Sequence, residues 1–170
     1  MKKRIVKVIL WILMLTLMSV IFYFSNQEAV KSSKTSSETI RFIMKIVMPD
    51  YETTPESELA EIETSVTKLV RKLAHFSIYG GLGFLSLLTF SRYNLSRRKL
   101  YTVSAVFCFL YAVSDELHQY FIPGRSCEAL DVLIDFSGSV CGMVFLTLAY
   151  IIIYKYKKAV FKQDRNIISI

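Results

Sequence analysis

The sequence predicts an all-α integral membrane protein: a four-transmembrane-helix bundle with an extracytoplasmic amphipathic helical segment. Three observations carry that prediction. Four apolar runs, Ile5–Phe24, Leu73–Phe90, Leu100–Phe121 and Leu130–Tyr154, each approach the length of about 20 residues needed to cross a hydrocarbon layer roughly 30 Å thick. The 170 residues are 53% hydrophobic with a mean hydropathy of +0.40, more apolar character than one soluble core of this size uses. The net charge of +7 is also unevenly spread. Lys2, Lys3, Arg4 and Lys7 open the first run, Arg92, Arg97, Arg98 and Lys99 fill the link between the second and third, and Lys155, Lys157, Lys158, Lys162 and Arg165 follow the fourth. If the spans alternate, all three groups lie on one side. This is the positive-inside pattern, and it predicts cytoplasmic termini. It leaves no basic groove for a nucleic acid, which the charge total alone would have allowed.

The elements follow in order. The first run has the basic start of a signal peptide, but its apolar stretch is long and Ser25-Asn26-Gln27 offers no small-x-small cleavage site, so it reads as a retained anchor. Residues 25–72 form the long outer connection. Its first part, 25–37, holds Ser25, Ser32, Ser33, Ser36 and Ser37 and reads as loop. Residues 38–48 place Ile40, Ile43, Met44 and Val47 at helical spacing, with Glu38, Arg41 and Lys45 elsewhere, as expected of a short amphipathic helix in the membrane interface ended by Pro49. Thr54-Pro55-Glu56 then supplies a capping residue, proline at the first helical position and an acidic first turn. Leu59, Ile62, Val66, Leu69, Val70 and Leu73 keep one apolar face with no breaker, which predicts one continuous helix into the second span. Gly80, Gly81 and Gly83 in that span, and Gly138 and Gly142 in the fourth, are packing signals for close helix approach. Three cysteines make no disulfide framework: Cys108 and Cys141 read as small apolar fillers, and Cys127 falls in the second outer connection. Residues 1–170 read as one domain.

Ionisable groups near the spans gather at three places. They are the entry to the second span (Arg71, Lys72, His75), the exit of the third (Asp115, Glu116, His118, Gln119) and the link into the fourth (Arg125, Glu128, Asp131, Asp135). The alternating topology puts all three on the outer side at similar depth. A charge at mid-bilayer costs about 2.5–3.5 kcal/mol on insertion scales, so such groups must pair with one another or with a bound partner. Asp115, His118 and Gln119 share a helix face, as do Lys72 and His75, and Asp131 and Asp135. Arg125, in the turn Ile122-Pro123-Gly124-Arg125, is placed to fold back over the cluster.

Several chemistries fit. His75, Glu116, His118 and Asp131 are candidates for general acid–base work. Lys72 and Arg125 suit a phosphate or carboxylate, with Asp115 and Gln119 orienting the site. A lipid bilayer, and at this depth an anionic lipid or lipid-linked cell-wall precursor, are the expected partners. His75, His118 and a carboxylate could also ligate a divalent metal, although no HxxxH or HxxE pair is present and the sequence specifies no cofactor. A salt-bridge network that only braces the helices is the non-catalytic alternative. A transporter or flippase would need ionisable groups along the inner halves of the spans, where few occur.

The same residues resemble the VanZ-like family. The resemblance rests on Phe24-Ser25-Asn26-Gln27, on Arg71-Lys72-Leu73-Ala74-His75-Phe76 with Tyr79, on Asp115-Glu116-Leu117-His118-Gln119-Tyr120-Phe121-Ile122-Pro123-Gly124-Arg125, and on Asp131 ahead of Gly138. It covers nearly the whole chain, and its DE-x-HQ-x-x-x-PGR element is quite specific. It implies a bacterial membrane protein of a family associated with low-level resistance to the glycopeptide teicoplanin. Asp135 departs from the family pattern, which usually carries Asn there, and so adds a buried acid that needs a partner.

Overall fold

A computed structural model describes residues 2–26, 40–123 and 128–168. They form a helical bundle, with no strand among them. Helix α1 spans Lys2–Ser25, α2 covers residues 40–47, α3 spans Glu56–Phe90, α4 spans Arg97–Tyr120 and α5 spans Ala129–Ile168. All but α2 are long and apolar enough to cross a membrane. The surfaces of these four helices expose Ile5, Ile9, Ile12, Leu110, Phe145 and Ile152 among many large apolar side chains, whereas the interior holds Met14, Tyr79, Leu82, Cys108 and Ala112. Because lipid is as apolar as leucine, interhelical contact is driven by fit and by internal polar pairing rather than by expulsion of oil from water. Fully buried Ser86, Ser104 and Ser139 fit that rule. Ser86 Oγ lies 3.3 Å from Cys108 Sγ, while Ser104 and Ser139 donate to carbonyls in the preceding turn.

Helices α3 and α5 run in the same direction and make the closest pair. A Cβ at Gly83 would overlap the Ser139 carbonyl, one at Gly138 that of Phe76, and one at Gly142 that of Gly80. The glycines are therefore packing residues, as the sequence indicated. On α5, Asp131, Asp135, Gly138 and Gly142 fall on one face at about 100° per residue, so the contact that locks the helices also aims both acids at α3.

Helix α3 is unbroken over 35 residues, about 50 Å at 1.5 Å per residue, and so extends beyond a 30 Å hydrocarbon layer. Its projecting part packs on α2 through Ile40, Met44 and Leu59, with Met48, Tyr51, Ile62 and Val66 around them. Arg41 straps the pair, with Nε 2.6 Å from Glu63 and Nη2 3.2 Å from Glu56. The apolar residues of α2 divide: Ile40 and Met44 face α3, while Phe42, Ile43, Ile46 and Val47 stay exposed. The start of α3 differs from the expectation by one residue. Pro55 is itself the cap, and the Thr54 hydroxyl donates back to the Asp50 carbonyl at 2.7 Å, inside the preceding turn. Cys141 is exposed on the outer surface of α5 rather than filling the interior. The loop expected at 25–37 lies almost wholly outside the described residues, as do Cys127 and Arg125.

At the far end of the bundle, Lys7, Trp11 and Tyr93 cluster. Trp11 Nε1 donates to the Tyr93 hydroxyl at 2.9 Å, and Lys7 Nζ sits 4.3 Å from the centre of that ring. This is the aromatic and basic composition of a headgroup-level girdle.

Candidate functional site

Opposite that girdle, four helices deliver polar side chains to one level. Helix α1 ends there with Ser25 and Asn26 follows; α3 contributes Arg71, Lys72, His75 and Tyr79; α4 contributes Asp115, Glu116, His118 and Gln119 from its last two turns; α5 contributes Asp131 and Asp135 from its first two. Seven of these line a narrow recess, Arg71, Lys72, His75, Glu116, Gln119, Asp131 and Asp135, with Ile134 completing the wall. Its enclosed space is about that of one water molecule, so it admits an ion or a single group of a larger molecule rather than engulfing a ligand.

The deepest member is Asp115, 3% exposed. Its Oδ2 accepts three hydrogen bonds from three different helices: Ser25 Oγ at 2.9 Å, Tyr79 Oη at 3.1 Å and Gln119 Nε2 at 3.2 Å. Its Oδ1 is buried and accepts none. Beside it, Asp135 is 2% exposed, with Oδ1 3.4 Å from His75 Nδ1. Nearer the mouth, Lys72 Nζ pairs with Asp131 Oδ1 at 3.1 Å, both partly exposed. Asp131 also lies in the first turn of α5, where the exposed N–H groups favour an anion. Glu116 is 3% exposed and accepts the backbone N–H of Glu128 at 2.7 Å, which ties the α4–α5 link to the site.

His118 goes elsewhere. Its ring stacks on Phe22 with centroids 4.5 Å apart, and its Nε2 lies 3.3 Å from Asn26 Oδ1. Helical geometry explains the split. With about 100° between successive residues, Glu116 and Gln119 lie to one side of Asp115 and His118 to the other, so α3 and α5 meet the first side and α1 the second. Sharing a face with Asp115 therefore does not make His118 and Gln119 share one with each other. The structure brings together Lys72, His75, Asp115, Glu116, Gln119 and Asp131, sets His118 against α1, and does not describe Arg125.

The family model described as VanZ/LLP1 matches residues 10–153, which include every helix of the site. The chain belongs to the VanZ/LLP1 family. No curated protein and no solved structure matches it. In this VanZ/LLP1 chain two contributors were not singled out as site residues from their chemistry: Ser25, read as the start of a loop and as part of the family pattern, and Tyr79, read only as part of the family pattern. The signal for Tyr79 was available. It follows His75 by four residues, on the same face of α3, and a buried tyrosine hydroxyl requires a partner.

Proposed function

We propose that this VanZ/LLP1 protein resides in a bacterial cell membrane with both termini cytoplasmic, and that its recess opens at the outer leaflet to bind the anionic headgroup of a lipid or lipid-linked cell-wall precursor. The orientation is supported by charge. The 91–99 link and the residues after the fourth span, at the end away from the recess, carry Lys and Arg almost alone, whereas the connections at the recess end carry most of the acids. One observation carries the binding reading: a narrow polar recess, rimmed by Arg71 and Lys72, sits where three helices leave the apolar zone. Arg71, Lys72 and Arg125 are the groups for a phosphate or carboxylate. His75, Glu116 and Asp131 line the recess and are the groups for any proton transfer, Asp115 and Gln119 position them, and His118 holds α1 against α4.

The test uses purified protein in phosphatidylcholine nanodiscs doped with phosphatidylglycerol or with a polyprenyl phosphate, with retained lipid read by native mass spectrometry. The expected result is selective retention of an anionic lipid, reduced about tenfold when Arg71 and Lys72 are both changed to Ala. Equal retention of zwitterionic and anionic lipid by the intact protein would refute the binding reading. In cells, expression of the chain is expected to raise the teicoplanin concentration needed to stop growth, and Glu116→Gln to remove that increment; no change on expression would remove the resistance role.

A bracing role has its own support, because the Lys72–Asp131 and His75–Asp135 pairs both join α3 to α5. It predicts that Glu116→Gln or His75→Ala lowers folded yield rather than lipid selectivity. A transport path finds less support. Among the described residues, the buried polar groups beyond the cluster are only Ser86, Thr89, Ser104 and Ser139.

A further inference from the structure

We infer that the floor of the recess is a divalent-metal site formed by His75 of α3, Asp115 of α4 and Asp135 of α5. One ligand atom from each lies within 4.8 Å of the others. Two carboxylates and one imidazole are a donor set for an ion such as Zn2+ or Mn2+, and three protein ligands leave a position for water or a substrate oxygen. Two atoms bound to one ion at about 2.0–2.2 Å in tetrahedral geometry lie roughly 3.3–3.6 Å apart, and His75 Nδ1 and Asp135 Oδ1, at 3.4 Å, already have that spacing.

Asp115 is the decisive residue. Three donors hold its Oδ2, and the other oxygen is left buried without a hydrogen-bond partner. A bare acceptor at 3% exposure forfeits its solvation. Ser25, Tyr79 and Gln119 thus do what the outer partners of a metal-bound carboxylate do, fixing its rotation so that one oxygen faces the ion.

The charges agree. Asp131 has Lys72, and Glu116 has the Glu128 N–H. Arg71 lines the recess but is exposed at its rim. Among the described residues, Asp135 pairs with His75 and Asp115 has no ion pair, and a divalent cation would neutralise both in a setting where uncompensated charge is poorly tolerated.

The inference stands apart from the headgroup reading, since the ion is held by protein atoms alone, and its test contains no lipid ligand. Detergent-purified protein is stripped with chelator and titrated with Zn2+ or Mn2+ by calorimetry, with bound metal counted by elemental analysis after desalting. One equivalent per chain and a raised Tm are expected. Asp115→Asn and Asp135→Asn should abolish stoichiometric binding. Tyr79→Phe, nearly isosteric and so expected to fold, should weaken it by roughly tenfold or more by freeing the Asp115 carboxylate. Glu116→Gln should retain one equivalent with little change. No stoichiometric metal on the wild-type protein, unchanged binding in Asp115→Asn, or a loss in Glu116→Gln as complete as in Asp115→Asn would each overturn the assignment; the last would mean diffuse attraction to acids rather than a defined site. Failure of Zn2+ and Mn2+ to bind leaves the lipid-retention result unaffected, and the reverse also holds.

Discussion

Asp115 connects three partner side chains on three helices, and its removal is expected to differ from its neutralisation. In Asp115→Ala, Ser25, Tyr79 and Gln119 each lose an acceptor in the interior, and leaving a buried donor unpaired costs about 1–3 kcal/mol. The melting temperature in detergent should fall by roughly 5 °C or more. Asp115→Asn keeps an acceptor oxygen and should cost distinctly less. Equal losses would show that the negative charge, not the hydrogen-bond hub, stabilises the bundle. His118 poses the complementary case. Its contacts are with Phe22 and Asn26, so His118→Ala should loosen the end of α1 and, reaching Asp115 only through Ser25, should weaken divalent-ion binding far less than Asp115→Asn does, as measured by calorimetry.

Among the helices, the α3–α5 contact is the one that tolerates least. Gly83, Gly138 and Gly142 each face a carbonyl of the opposite helix with no room for a methyl group. Gly142→Val should therefore separate the helices and reduce folded yield severalfold, whereas Cys141→Val, one residue away on the exposed surface, should be neutral by the same assay. The two roles of this contact are coupled, because the face that carries the glycines also carries Asp131 and Asp135. Helix α2 presents a different question. Ile40 and Met44 are committed to α3, while Phe42, Ile43, Ile46 and Val47 remain uncovered. A helix apolar on two sides, joined to a membrane-spanning helix, is expected to lie with its free side in lipid. A spin label at Ile46→Cys should be more accessible to oxygen than to a water-soluble nickel reagent, and the opposite ranking would place that face in water.

For the whole molecule, the proposed orientation follows from charge and can be read by labelling. In intact cells, with the native cysteines replaced, a membrane-impermeant maleimide should modify Thr53→Cys, in the turn before α3, and not Asn94→Cys, in the link between α3 and α4. The reverse would invert the protein and turn the recess toward the cytoplasm. Much of this architecture was legible beforehand. The spans and the unbroken α3 follow from apolar length and the absence of breakers, and the similar depth of Lys72, His75, Glu116 and Asp131 follows from counting residues from the helix ends. The side of α4 that α1 would cover was not legible. A helix periodicity shows which residues share a face but not which neighbour that face meets, and so His118 could be grouped with Asp115 yet end on the opposite side from Glu116.

Sequence alone determined that four helices are apolar and long enough to cross a membrane, and that acids and histidines collect at one end while lysine and arginine crowd the other, because hydrocarbon excludes charge and insertion favours lysine and arginine on one side whatever the helices later contact. Only tertiary structure decided which acid meets which base. Lys72 with Asp131, His75 with Asp135, and Asp115 at the centre of Ser25, Tyr79 and Gln119 depend on the rotation of each helix about its axis. That rotation is set by glycine-to-carbonyl contacts between segments some 60 residues apart, such as Phe76 with Gly138, and no local pattern encodes it.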